Sequence, residues 1–113
     1  MSKKIDAHIL AKYKVGELVG SGAYGHVWKA EDKITHKHYA LKKVFGAFRN
    51  NIDAQRTYRE VEILQKIDHP NIIKLHKVLG AENKEDLYLI FELMEADLLA
   101  VVGYFPDNTE TQS

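Results

Sequence analysis

A lysine and a glutamate stand among apolar residues, where an unpaired charge is costly. Lys42 shares one face of a predicted strand with Ala40 and Val44. Glu60 falls four residues before Leu64, on the apolar stripe of a predicted helix. Pairing the ammonium with the carboxylate would satisfy both charges and would fix the lysine where it can bind a phosphate. The alternative is that the lysine side chain snorkels out to water.

A dense glycine motif lies upstream of this lysine. Three of the seven glycines form Gly20-x-Gly22-x-x-Gly25. A dinucleotide-binding turn needs a helix after the motif and an acidic residue about 20 positions later. A predicted strand follows instead, and Phe45 occupies that position, so this interpretation fails. Two remain open: a plain hairpin turn, and a flap between strands whose amides approach phosphates, since Val27 completes the pattern of phosphate-covering loops.

The elements that must position these groups follow from alternation and spacing. Apolar residues at intervals of three (Tyr58, Val61, Leu64) predict a helix over 54–67, with Asp53 as its N-cap. The order of elements is β-β-β-α-β-β. It predicts an α+β fold, a five-stranded antiparallel sheet with one main helix. The strands are predicted at 13–19, 27–30, 38–45, 74–79 and 86–92.

Composition excludes several classes of protein. The chain has 113 residues, 16 Lys+Arg against 16 Asp+Glu, and no cysteine. The balanced charge argues against a nucleic-acid partner, and no apolar run approaches the roughly 18 residues of a membrane span. The absence of cysteine excludes disulfides and thiolate metal sites. We expect a protein of the cytoplasm or the nucleus that binds neither nucleic acid nor membrane.

Five motifs, taken in order, resemble the amino-terminal lobe of a eukaryotic protein kinase. The last of them is most like the mitogen-activated protein kinases, and residues 53–57 resemble the atypical extracellular-signal-regulated branch. The glycine-rich loop lies at 18–27, and the strand of the ATP-phosphate lysine lies at 39–42. The helix of its glutamate partner lies at 56–61, and the turn after that helix at 69–72. The last strand with the hinge lies at 87–98.

The resemblance implies an ATP site and a role for each residue in it. Phe91 would be the gatekeeper, the backbones of Glu92 and Met94 would bind adenine, and Asp97 would lie near the ribose. The alternatives are plain core for Phe91 and Met94, and a helix cap for Asp97. The residues implied to contact ATP are Val19, Gly20, Ser21, Gly22, Ala23, Tyr24, Gly25, Val27, Ala40, Lys42, Phe91, Glu92, Met94 and Asp97.

The resemblance also implies two roles on the helix. Glu60 would be the partner of the lysine, and Arg59 would face a phosphorylated activation loop. The alternative for Arg59 is a solvated helix face, which is also the favoured interpretation for Arg56.

The catalytic motifs of the family do not occur in the sequence. Neither a His-Arg-Asp nor an Asp-Phe-Gly string is present. We therefore expect a kinase lobe truncated after the hinge, with no complete catalytic set, no metal ligands and weak ATP binding in isolation. Magnesium would serve only the complete family member. The expected divisions are a polar leader at 1–12, the lobe and hinge at 13–102, and a disordered tail at 103–113.

Two functions from different classes follow. The first is the ATP-binding lobe of a serine/threonine protein kinase, with a nucleotide and a protein substrate or regulator as partners. The alternative is a non-catalytic fragment that docks to a partner protein. A metal-dependent or hydrolytic enzyme is disfavoured, because His36 and His38 have no third ligand at motif spacing.

Overall fold

The computed structural model describes residues 4–66 and 74–92 as two helices and one sheet. The five strands are antiparallel in the order β1-β2-β3-β5-β4. This confirms the predicted α+β fold. Neither helix of the described part is long and apolar enough to cross a membrane. The elements are α1 (Ala7–Leu10), β1 (Tyr13–Gly22), β2 (Gly25–Asp32), β3 (His38–Val44), α2 (Asn51–Lys66), β4 (Leu75–Gly80) and β5 (Leu87–Glu92).

Each face of the sheet carries its own apolar cluster. The cluster on the helix face, the side that α2 covers, includes Ala40 and Val44 of β3 together with Leu64 of α2. The cluster on the opposite side, the back face, includes Tyr39 and Leu41 of the same strand. The alternation predicted for β3 is therefore confirmed, because successive residues of the strand enter opposite clusters.

The main helix begins earlier than predicted. It starts at Asn51, and the Oδ1 of Asn50 accepts a hydrogen bond from the backbone N–H of Asp53 at 2.8 Å. The prediction of Asp53 as the N-cap is wrong, because the side chain that caps the first turn belongs to Asn50. The Asp53 carboxylate instead lies 3.3 Å from the guanidinium of Arg49. The predicted end of the helix at 67 lies outside the described residues.

The stretch before β1 packs on the back face of the sheet. It forms α1, and Ile9 is fully buried in the back-face cluster. The backbone N–H of Asp6 donates to the Tyr88 hydroxyl at 3.1 Å, and the Lys43 Nζ donates to the carbonyl of Lys4 at 3.1 Å. These two contacts fasten the segment to β3 and β5.

Candidate functional site

The register of the sheet places the glycine loop beside Lys42. Gly20 lies opposite Val27 in the first pair of strands, and Val27 lies opposite Lys42 in the next pair. Leu89 of β5 extends the row on the far side of Lys42. Residues directly opposite one another share a face of the sheet, so Val27 and Leu89 flank the lysine with apolar side chains.

Burial determines the electrostatics of Lys42. Its side chain is completely buried, and this loss of hydration lowers the pKa of Lys42 to about 7, against the opposing effect of Glu60. Glu60 is half-buried, and burial raises the pKa of its carboxyl, while Arg56 and then Lys42 act to lower it. The structure thus brings Lys42 and Glu60 within electrostatic reach on the helix face.

Tyr24 belongs to the turn of the glycine loop and covers Lys42. The Nζ atom lies 5.1 Å from the centroid of the Tyr24 ring, a cation–π distance. A Cβ atom at Gly22 would come within 2.8 Å of that ring, so the tyrosine packs against the bare backbone there. Its hydroxyl oxygen is buried and has no hydrogen-bond partner in the part of the chain that the structure describes. The ring therefore packs against the loop at Gly22 and also contacts the Lys42 ammonium.

The loop itself is a hairpin, and Ala23 and Tyr24 form its turn. Gly25 has φ +145°, and a Cβ atom there would lie 1.7 Å from the carbonyl oxygen of Lys43. A residue with a side chain cannot occupy this position without moving β3. Ser21, Gly22 and Ala23 are exposed at the tip. The hairpin is therefore present, and its exposed tip is consistent with the phosphate-covering interpretation, which stays a prediction.

A buried histidine supports the base of the loop. His26 lies beside the turn with its Nδ1 atom 2.8 Å from the Ser21 hydroxyl oxygen. Its ring meets Trp28 and Phe45 edge-on, at centroid distances of 5.6 Å and 5.1 Å. Sequence reasoning gave this residue no role. The sequence offered no signal for it, because the burial of His26 within β2 results from tertiary packing.

The residues predicted to surround adenine form part of the core on the helix face. Val27, Ala40 and Phe91 are fully buried there, and Val19 packs against them while half-buried. Ala40 lies directly opposite Phe91 in the pairing of β3 with β5. Glu92 ends β5 with an exposed side chain. Met94 and Asp97 lie outside the described residues, so their roles stay predictions.

The two arginines of α2 differ in exposure. Arg59 is exposed, whereas Arg56 is half-buried and its charge acts on the Glu60 carboxyl. The prediction that Arg56 belongs to a solvated helix face missed this effect. The available signal was its spacing, because a residue four positions before Glu60 lies one turn away on the same side of the helix.

The model of the protein kinase domain family matches residues 13–109. The chain belongs to this family. Extracellular signal-regulated kinase 2 of Dictyostelium discoideum is 56% identical over 102 residues, which are 89% of this chain and 28% of that protein. Mitogen-activated protein kinase 15 of Caenorhabditis elegans is 52% identical over 103 residues, 90% of this chain and 22% of that protein.

The similarity extends to a third relative of the same branch. Extracellular signal-regulated kinase 7 of Drosophila melanogaster is 48% identical over 101 residues, which cover 88% of this chain and 11% of that protein. These names confirm the predicted likeness to the mitogen-activated protein kinases and their atypical branch. The chain corresponds to the amino-terminal portion of a serine/threonine kinase domain and spans 28% or less of the length of these curated relatives.

Proposed function

We propose that this chain forms the ATP-binding lobe of a serine/threonine protein kinase. Phosphoryl transfer to protein hydroxyls also requires catalytic and magnesium-binding motifs, which these 113 residues do not contain. The observation that carries the proposal is the completely buried Lys42, which lies within electrostatic reach of Glu60 beside the glycine hairpin. A buried ammonium is costly in an apolar core. A ligand phosphate would offset this cost.

Nucleotide binding at this site would charge Lys42. With its pKa near 7, the lysine is partly neutral at physiological pH. A phosphate beside Nζ favours the ammonium, so binding takes up a proton. Val27 and Ala40 would form the apolar wall for the adenine base, and both would first have to be uncovered, because they are fully buried in the helix-face cluster. The Tyr24 ring now covers Nζ and has to move aside before a phosphate can reach it.

Magnesium is assigned to the complete family member. We assign no magnesium ligand among residues 4–66 and 74–92, where the Glu60 carboxylate interacts with the Lys42 ammonium instead. The role of this chain's own residues is to bind and orient the nucleotide and to exclude water from the lysine. Arg59, exposed on α2, remains the candidate contact for a phosphorylated activation loop.

Chemical-shift titration with millimolar ATP tests the proposal, since it detects weak binding. We expect the amides of the glycine loop to shift, and we expect Lys42→Met to abolish the effect. Lys29→Met is the matched control, because Lys29 lies on β2 with its side chain about half exposed. Equal responses from wild type and Lys42→Met would contradict the proposal, as would a loop that does not respond at all.

The pH dependence sharpens this test. If Lys42 must be charged to hold the phosphates, affinity falls by up to about tenfold per pH unit above its pKa near 7. Titrations at about pH 7.5 and pH 9 avoid most of the ionisation of ATP itself. An affinity that does not change over this interval would show that the buried ammonium does not bind the nucleotide.

A second candidate is a non-catalytic fragment that docks to a partner protein. It is favoured by three large apolar side chains on α2 that are mostly exposed, at 71% for Ile52, 67% for Tyr58 and 55% for Ile63. Chemical-shift titration with ATP distinguishes the candidates. A response of the glycine loop that Lys42→Met abolishes supports the first, and the absence of any response supports the second.

A further inference from the structure

Three potential metal ligands converge beside the turn between β4 and β5. Asp6 precedes α1, His8 lies within it, and Glu82 belongs to the turn. Their ligand atoms all lie within 4.8 Å of one another. We propose that these three side chains bind a zinc-class divalent cation. The site lies with α1 beside Tyr88 of the back-face cluster, so it is separate from the Lys42 site.

The hydrogen bond of His8 determines which ring nitrogen faces the cluster. Its Nε2 atom lies 2.9 Å from the carbonyl oxygen of Gly80. A carbonyl oxygen only accepts hydrogen bonds, so Nε2 carries the hydrogen. In the neutral ring, Nδ1 therefore presents its lone pair, and it lies 3.8 Å from Oε1 of Glu82. Histidines that bind metals characteristically donate their other N–H to a carbonyl or carboxylate in this way.

The two carboxylates are positioned by contacts with the fold. The Asp6 Oδ2 accepts the backbone N–H of Glu82 at 2.7 Å, which holds the carboxylate against the turn. The Asp6 backbone N–H donates to the Tyr88 hydroxyl. The ring of His8 meets that of Tyr88 edge-on at 6.2 Å. The ligands of the site are therefore brought together before any cation binds.

The donor set favours zinc over calcium or magnesium. It combines one imidazole nitrogen with two carboxylates, whereas calcium and magnesium prefer oxygen alone. His8 and Glu82 are exposed, which leaves room for water to complete a tetrahedral shell of three protein ligands. The cation would neutralise two negative charges. It would also bridge positions that are 76 residues apart in the chain, fastening the α1 segment to the β4–β5 turn.

A different arrangement could satisfy the same geometry. A doubly protonated His8 would form an ion pair with Glu82, across the 3.8 Å between Nδ1 and Oε1, without any metal. The two arrangements differ in their response to added zinc, because only the neutral ring offers a lone pair. The test must therefore use the metal itself as the probe.

Isothermal titration of the chelator-treated 113-residue protein with zinc chloride tests the site. We expect one zinc per chain, with affinity reduced at least tenfold in His8→Asn and in Glu82→Gln. His36→Asn is the matched control, since its Nδ1 lies 3.0 Å from the Glu31 carboxylate and the described residues place it in no group of three potential ligands. We also expect zinc at a fixed concentration to raise the melting temperature of wild type and His36→Asn more than that of the two ligand variants.

Three results would overturn the proposal. Equal zinc affinity in wild type and His8→Asn would place the metal on other histidines. The absence of binding at about 100 µM zinc would leave only the protonated His8 arrangement. An imidazole ¹⁵N spectrum in which zinc shifts Nε2 rather than Nδ1 of His8 would contradict the assigned ligand atom. Glu82→Gln keeps the test valid if His8→Asn fails to fold, because Glu82 is exposed.

Discussion

Replacing Lys42 by methionine should change how the stability of the protein depends on pH. Burial lowers the pKa of Lys42 from 10.5 in the unfolded chain to about 7 in the folded one. Between these values the unfolded state binds more protons than the folded state. The free energy of unfolding therefore rises with pH above 7, as the buried lysine becomes neutral. Methionine has a similar shape and no charge, so it removes this dependence.

The pKa difference sets the size of the effect. At about 1.4 kcal/mol per pH unit, the full difference corresponds to about 5 kcal/mol across the interval between the two pKa values. Between pH 7 and pH 9 the wild type should gain about 2 kcal/mol relative to Lys42→Met. The pKa values of Tyr13, Tyr24 and Tyr88 are raised by burial, so these tyrosines affect stability only at higher pH.

Urea unfolding at pH 7 and pH 9 measures this gain. The comparison uses the difference between wild type and Lys42→Met at each pH, so that all other titrating groups cancel to first order. Lys29→Met serves as the exposed-lysine control and should leave the slope unchanged. If the free energy of unfolding depends on pH in the same way in wild type and Lys42→Met, the inference that burial lowers the pKa of Lys42 is refuted.

Three further changes test the loop and the helix. Gly25→Ala should lower the free energy of unfolding by about 3 kcal/mol or more in a urea titration, because the added Cβ meets a backbone carbonyl. Gly16→Ala is the control and should have little effect, because a Cβ atom there would make only an ordinary contact. Tyr24→Phe should raise the melting temperature by removing a buried hydroxyl that lacks a partner in the described residues, and a fall would contradict this. Asn50→Ala should lower the free energy of unfolding by about 1 kcal/mol, because the backbone N–H of Asp53 loses the side-chain oxygen that caps it. Unchanged stability would show that Asn50 does not cap the helix.

Alternation made the lysine side of the site predictable. The strand period of two places Ala40 and Lys42 on one face whatever the tertiary structure, and β3 follows it. The helical spacing of Glu60 and Leu64 likewise predicts that the carboxylate turns toward the sheet. Both inferences depend only on backbone geometry, which is why they could be made from the sequence.

Tertiary contacts determined what the sequence did not reveal. Tyr24 covers Lys42 because its side chain folds back against Gly22, a choice of rotamer that no periodicity encodes. The four residues of α1 are too few to show a helical repeat, and Ile9 is buried by the back face of the sheet. Asn50 and Asp53 are both common capping residues, so composition alone could not choose between them.

The apolar spacing of α2 was also only partly informative. Val61 and Leu64 pack inward as the interval of three suggests, but Tyr58 is mostly exposed and Thr57 is buried in its place. The Thr57 hydroxyl donates to the Ala47 carbonyl at 2.8 Å, which fixes the rotation of the helix. A polar residue thus occupies an inward position because a loop carbonyl is there to accept its hydrogen bond.

The most direct test of the central claim is the pKa of Lys42, measured by NMR titration of its side chain in wild type and in Glu60→Gln. The account predicts a value of about 7 in wild type and a lower one in the variant, because the Glu60 carboxylate opposes the effect of burial. A wild-type value near 10.5, or an identical value in the two proteins, would contradict the claim that a buried ammonium interacts with Glu60 beside the glycine loop.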